Sequence, residues 1–311
     1  MITTEELTRN FGDLVAVDRL NIEIKEGDIY GFLGPNGAGK TTTIRMLSTL
    51  IKPTSGTACI MGHDVQKEPN RARRAIGIMP ERPGFYEEMS GRKQLRFYGE
   101  FYKIPRSKLD PRIEDLMARV GLTRFIDAAI KTYSHGMRKR LAIAQALLHD
   151  PRILIMDEPS TGLDPAGVLE FRELIRALNK EGYTIFLSSH VLPEIQQVCN
   201  RVGILRRGKL VAEDTIDNLR GQLIAKSADR ITVVATGIDD AILASIRTIE
   251  GVANADRSDW GMMIQAEQGT NVQADVNDVL VRGGARVTAF TTLQPTLEDV
   301  FLDITGGESD V

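Results

Sequence analysis

The eight residues Gly34-Pro35-Asn36-Gly37-Ala38-Gly39-Lys40-Thr41 constrain this chain more than any other part of its sequence. They match the pattern G-x-x-x-x-G-K-[ST] and lie between a short apolar run, Ile29-Tyr30-Gly31-Phe32-Leu33, and a stretch of helical periodicity over 39–50. A strand that enters a glycine-rich turn and leaves as a helix is the setting in which this pattern holds phosphate. The glycines allow backbone N–H groups to turn inward around a β-phosphate, and the helix N-terminus adds partial positive charge. Lys40 then reaches the β- and γ-phosphates, and the Thr41 hydroxyl can bind Mg²⁺.

A phosphate loop alone does not separate kinases, GTPases and motor ATPases, so the acidic partner decides. A second apolar run, Ile153-Leu154-Ile155-Met156, ends in Asp157-Glu158. That places two carboxylates at the carboxyl end of a strand, where α/β sheets bind ligands. Asp157 suits the Mg²⁺ shell, and Glu158 is positioned to orient and activate an attacking water. A third run, Thr184-Ile185-Phe186-Leu187-Ser188-Ser189, ends at His190, which puts an imidazole on the same sheet edge within reach of a γ-phosphate or the water.

Apolar runs alternating with helical stretches over the first 220 residues predict an α/β fold with a buried, largely parallel sheet. From about 90 to 150 the strand signal disappears and helical periodicity takes over, as in an inserted helical subdomain spanning about 88–150. After about 222 the order becomes βαββαβ, a ferredoxin-like arrangement, with helices expected over 240–249 and 272–280 and a closing helix from Pro295-Thr296 through Ile304. The predicted domains are 1–221 and 222–311. Charge divides in the same place: 33 basic against 28 acidic residues up to 220, then 6 against 14. An acidic tail argues against a general nucleic-acid binder, which needs a basic face.

The apolar runs are far shorter than the roughly 20 residues needed to cross a bilayer, and the amino terminus lacks the basic and apolar segments of a secretory signal. Cys59 and Cys199 have no metal-type spacing and are expected as buried packing residues in a reducing compartment. Phe85, Tyr86, Phe97, Tyr98, Phe101 and Tyr102 place six of the seventeen aromatic residues within eighteen positions. They form either the packed core of the helical subdomain or a groove for a helix of a membrane subunit.

With these residues in order, the chain resembles the ATPase subunits of ABC transporters. Tyr133-Ser134-His135-Gly136-Met137 stands where that family carries Leu-Ser-Gly-Gly-Gln, and Ser160-Thr161-Gly162-Leu163-Asp164 resembles its D-loop. The acidic tail with Pro295-Thr296-Leu297-Glu298-Asp299-Val300-Phe301 is similar to exporter-type subunits for drugs, antibiotics, polysaccharides, lipids or sodium. The resemblance implies a P-loop ATPase core that binds ATP and Mg²⁺. Phe11 would stack on adenine, the loop Gly34 to Thr41 with Thr42 would hold the phosphates, and Thr41, Glu81 and Asp157 would hold the metal. Glu158 and His190 would be catalytic, while Ser134 and Gly136 would reach the ATP of a partner subunit. A hydrophobic staple is the structural reading of Phe11.

Three positions depart from the family pattern: His135, Met137, and Glu81 where glutamine is usual. The serine hydroxyl and glycine approach needed by a γ-phosphate are kept. Glu81 serves the metal, or is a surface carboxylate paired with Arg82. The resemblance further implies a homodimer or a dimer with a paralogue, an integral membrane permease, and a peripheral place on the cytoplasmic face of the membrane. The expected function is ATP-driven dimer closure energising an exporter. The other expectation is a soluble mechanical ATPase of the same superfamily acting on ribosomes or DNA.

Overall fold

Strand β4 (Ile29–Leu33) is buried at every position, as are β8 (Ile153–Asp157) and β9 (Thr184–Ser189), because each carries apolar side chains on both faces. In the computed structural model, which describes residues 1–219, 229–267, 270 and 272–293, these runs form the centre of a six-stranded sheet. The chain separates into two compact units, Met1–Ile216 and Asp217–Val311.

The first unit begins with β1 (Ile2–Phe11), β2 (Leu14–Leu20) and β3 (Glu23–Ile24), which join β5 (Ser55–Ile60) and β6 (His63–Asp64) in an antiparallel sheet. The larger sheet adds β7 (Ile76–Met79), β10 (Arg201–Arg206) and β11 (Lys209–Thr215) to the three central strands. Its order is β11-β10-β4-β9-β8-β7, parallel throughout except for β11. Period-two alternation divides the side chains of these strands. Tyr30, Phe32, Ile153, Ile155 and Phe186 join one core with the small sheet and with α1 (Lys40–Leu47), and Phe186 lies 5.8 Å from Tyr30 and 5.3 Å from Phe32. Gly31 points the other way, where Ile195 and Cys199 leave no room for a side chain.

Helix α1 ends at Leu47 rather than near 50, since Thr49 takes a left-handed φ of 60°. After α2 (Pro69–Ala75) and β7, the segment before β8 is helical: α3 (Gly91–Phe101), α4 (Arg106–Arg119), two short 3-10 turns and α5 (His135–Ala146). Ser90 and Ser134 cap α3 and α5 by accepting from the backbone N–H groups of Lys93 and Met137. Helices α6 (Pro165–Lys180) and α7 (Leu192–Val198) flank β9. Cys199 is buried as expected, whereas Cys59, near the end of β5, is only half-buried.

In the second unit β12 (Asp229–Thr236), α8 (Asp240–Arg247), β13 (Val252–Ser258), β14 (Gly261–Ala266), α9 (Gln273–Arg282) and β15 (Arg286–Leu293) follow the expected βαββαβ order. The antiparallel sheet runs β13-β14-β12-β15, the ferredoxin-like order. Asp239 caps α8 by accepting from the Ile242 N–H at 2.8 Å. The one-face spacing of Ile242 and Ile246, and of Val276 and Leu280, meets Ile231, Val233, Met262 and Ile264 in a common core. Each such burial contributes about 1.5–3 kcal/mol. The closing helix expected over 295–304 lies outside the described residues.

Candidate functional site

The turn from β4 into α1 is shaped by glycine. Gly39 caps α1 with φ 109°, and a side chain there would meet the Ala16 carbonyl oxygen at 2.4 Å; Gly37 has φ 78°. The first N–H groups of α1 have no partner within the helix and are the groups that a bound anion meets at a helix N-terminus. Lys40 folds back over the loop and its Nζ donates to the carbonyl oxygens of Gly34 (2.6 Å) and Pro35 (3.2 Å). Pro35, Asn36, Gly37, Ala38, Gly39, Lys40, Thr41 and Thr42 line an open cleft of about 750 Å³, together with Glu81, Glu158, His190 and Phe11.

Parallel pairing of β8 with β9 brings their carboxyl ends side by side and fixes the acidic pair. Asp157 and Glu158 are both buried, the latter only 8% exposed. Ser188 Oγ donates to Asp157 Oδ1 at 2.6 Å and accepts from the Glu158 N–H at 3.0 Å. Glu158 Oε2 lies 2.9 Å from His190 Nδ1, and Oε1 lies 3.2 Å from Lys40 Nζ as an ion pair while making no hydrogen bond of its own. The carboxylate thus stands between the phosphate-loop lysine and an imidazole, at the wall of the cleft.

Glu158 also has a left-handed φ of 46°, a costly conformation for a residue with a side chain. Two buried groups that sequence reasoning missed hold it. One is Ser188. The other is Lys139 on α5, only 2% exposed, whose Nζ donates to the carbonyl oxygens of Glu158 and Glu81, each at 3.2 Å. Burial pushes the Lys139 ammonium pKa down, and the neighbouring Glu81, Glu158 and Asp157 partly oppose this. Ser188 is a serine near the end of an apolar strand, and Lys139 stands between Arg138 and Arg140 in a basic run that reads from sequence as solvated surface, a reading its burial overturns.

Phe11, at the end of β1, is exposed on the rim of the cleft with the Arg9 guanidinium 4.5 Å from its ring centre, so the ring is not tucked under a helix as a staple. The Glu81 side chain is exposed, and its Oε1 is 3.9 Å from Arg82 Nε. Ser134 and Gly136, at the start of α5, do not line the cleft. His135 Nε2 lies 3.2 Å from the Thr161 carbonyl oxygen, joining that turn to the 160–164 segment. In the aromatic cluster Phe97 packs edge-on against Tyr86 and Phe101 at 5.2 and 5.0 Å, yet Tyr86 is 50% and Phe101 69% exposed. These two rings are not core.

Among the described residues no group of three or more His, Cys, Asp or Glu side chains could hold a metal ion, and no helix is long and apolar enough to cross a membrane. The Thr41 hydroxyl and the Asp157 carboxylate are oxygen donors of the kind Mg²⁺ takes one or two at a time beside substrate phosphates. The donor set fits that cation as a companion of a nucleotide rather than as a free-standing centre.

Residues 17–161 match the family model described as ABC transporter. The bacitracin transport ATP-binding protein BcrA of Bacillus licheniformis is 39% identical over 308 residues, covering 99% of this chain and 98% of that protein. The linearmycin resistance ATP-binding protein LnrL of Bacillus subtilis (strain 168) is 32% identical, covering 98% of each. Among solved structures, an ATP-binding subunit of an ABC transporter superposes with a TM-score of 0.65 at 28% identity, over 71% of this chain and 92% of that one. The dimeric bacterial ABC transporter cassette MJ0796 gives 0.63 at 25% identity, over 70% and 99%. Aligned along nearly its whole length with ATP-binding proteins of transport and resistance systems, and carrying a phosphate loop faced by a buried glutamate, the chain belongs to the ATP-binding, ATP-hydrolysing subunits of ABC transporters.

Proposed function

We propose that this chain energises an exporter, of the kind that its relatives are named for in bacitracin transport and linearmycin resistance, with ATP hydrolysed by Glu158 and His190 in the cleft above the phosphate loop. The observation that carries the reading is the buried carboxylate of Glu158 between Lys40 and His190. A bound γ-phosphate takes over the Lys40 ammonium from the Gly34 and Pro35 carbonyl oxygens, which frees Glu158 from its ion pair to accept a proton from water. His190 keeps that carboxylate oriented. Thr41 and Asp157, with Glu81 on the cleft wall, would hold Mg²⁺, which would supply positive charge to the β- and γ-phosphates. Phe11 offers a flat apolar face for the adenine, with Arg9 behind it.

Ser134 and Gly136 lie away from their own cleft, which supports a role at the nucleotide of a second subunit, either another copy or a paralogue. Binding of two ATP molecules closes the pair and hydrolysis reopens it, a two-state change driven by differential affinity. The nucleotide-binding part is 1–221 with its helical subdomain over about 88–150, and 222–311 is an acidic appendage. The membrane partner is a separate permease on whose cytoplasmic side the subunit sits, and the exposed rings of Tyr86 and Phe101 form part of its docking groove. Whole-length relatives named for transport and resistance favour this over action on ribosomes or DNA.

Phosphate release by the full-length chain in the presence of Mg²⁺ and ATP tests the reaction, and the protein that copurifies from detergent-solubilised membranes tests the partner. Substantial turnover and an integral membrane protein in the purified complex are expected. ATP binding without any phosphate release, alone or in that complex, overturns the catalytic reading. Recovery with ribosomes in place of a membrane protein overturns the transport reading.

A further inference from the structure

The main chain of Glu158 is held more firmly than its position at the end of a strand requires. Its φ of 46° is left-handed, and residues with a side chain keep such a conformation only where the surroundings over-determine it. Three hydrogen bonds do so. The N–H donates to Ser188 Oγ at 3.0 Å; the carbonyl oxygen accepts from the Thr161 N–H at 3.3 Å and from Lys139 Nζ at 3.2 Å. Of these donors only Lys139 comes from the helical segment between β7 and β8.

Lys139 is an unusual residue to find there. It is among the largest fully buried side chains of the protein, and burying an ammonium is expensive unless hydrogen bonds compensate. Its two hydrogen-bond acceptors are main-chain carbonyl oxygens, one on Glu158 and one on Glu81. It stands one turn along α5 from Ser134 and Gly136. A single buried cation therefore links the start of α5, the loop after β7 and the strained peptide of Glu158.

We propose that Lys139 is a positioning residue for hydrolysis: it fixes the Glu158 main chain, and through it the direction of the carboxylate, and fastens the Glu81 loop to the same point. The proposal rests on Glu158 being the general base. Displacing a catalytic group by about 1 Å can cost about 10²-fold in rate while leaving substrate contacts elsewhere intact. The phosphate loop does not touch Lys139 through any hydrogen bond described above, so loss of Lys139 acts on turnover and not on nucleotide affinity.

The full-length protein carrying Lys139→Met, which keeps the length of the chain but donates nothing, is compared with Lys139→Gln, which keeps an N–H donor on a shorter arm. Phosphate release gives kcat and KM, equilibrium binding of a fluorescent ATP analogue gives Kd, and thermal melting reports folding. For Lys139→Met kcat is expected to fall about 10- to 100-fold with KM and Kd within about twofold of wild type. Lys139→Gln is expected to lie between the two, about two- to fivefold below wild type. Wild-type kcat in either variant overturns the proposal, and so does a parallel loss of kcat and Kd, which marks a structural role. If Lys139→Met does not fold, Lys139→Gln decides alone: reduced kcat at unchanged Kd supports the proposal and unchanged kcat overturns it. Failure of the underlying reading looks different, because Glu158→Gln would then turn over like wild type.

Discussion

His190 Nδ1 lies 2.9 Å from Glu158 Oε2, so the imidazole at the end of β9 fixes one oxygen of the carboxylate that extends from the end of β8. Adjacent parallel strands make this contact possible, since β8 and β9 pair in register up to Asp157 and Ser188; Glu158 follows directly on β8, and His190 follows Ser189, the last residue of β9. The other oxygen faces Lys40. The first prediction follows from this division. Glu158→Gln keeps the size of the side chain and leaves Asp157 and the phosphate loop untouched, but it removes the base. Turnover falls by about 10²–10⁴-fold while ATP binding persists. With reopening blocked, ATP and Mg²⁺ shift the full-length variant to a dimer in size-exclusion chromatography; a monomer that hydrolyses at the wild-type rate contradicts the assignment.

How far the site was legible in sequence depends on how local each signal is. The phosphate loop, Asp157-Glu158 and His190 are set by contiguous residues at strand ends; the loop from Pro35 onward, Glu158 and His190 line one cleft, whereas Asp157 is buried and accepts from Ser188. Lys139 and Ser188 were not legible, because their roles depend on which strand and helix come to lie beside Glu158. The antiparallel sheet of β1, β2 and β5 is likewise not legible in the sequence. Its alternation is broken by register shifts between Leu7 and Asn10 and between Glu5 and Thr8, and Glu6 and Arg19 have left-handed φ values.

The second prediction concerns pH and stability. His149 stacks on Tyr102 with ring centres 4.2 Å apart, its Nε2 meets the Ile76 carbonyl oxygen at 3.0 Å, and its Nδ1 is buried with no hydrogen-bond partner. Burial holds the imidazole below its ordinary pKa; the Ile76 carbonyl opposes this, Arg112 adds to it, and Asp150 opposes it. The unfolded chain, with a histidine pKa of about 6.5, takes up the proton first as pH falls. Stability from this group is therefore complete above about pH 6.5 and is lost as pH drops toward the folded value. The melting temperature should decline between pH 7.5 and 5.5, and His149→Gln should flatten that decline. An equally steep decline in the variant assigns the effect to other groups.

The third prediction separates packing from docking in the aromatic cluster. Phe101 and Tyr86 expose most or half of their surface, so their truncation removes little buried area, while a core aromatic costs about 3–5 kcal/mol on truncation. Tyr86→Ala and Phe101→Ala should leave the melting temperature of the isolated subunit nearly unchanged and reduce recovery of the membrane partner in copurification. Large drops in melting temperature for both variants would show that the rings serve the fold of the helical segment instead.

The last prediction concerns Glu81, whose main chain and side chain have different tasks. Its carbonyl oxygen is tied to Lys139, while its exposed carboxylate lines the cleft 3.9 Å from the Arg82 guanidinium. An exposed pair of that kind contributes little to stability, so Arg82 gives no strong reason for a carboxylate here. Mg²⁺ does. A carboxylate can ligate the ion or accept from one of its waters, as an amide oxygen can, and adds a negative charge that the cation tolerates but the γ-phosphate repels. Glu81 is therefore expected to act through the metal, with proton transfer left to Glu158. Glu81→Gln should retain most ATPase activity, whereas Glu81→Ala should need more Mg²⁺ for half-maximal turnover and respond less to the membrane partner. ATPase rate measured against Mg²⁺ concentration distinguishes the possibilities: superimposable curves for all three forms mean a surface carboxylate paired with Arg82, and collapse of Glu81→Gln means that the charge itself takes part in the reaction.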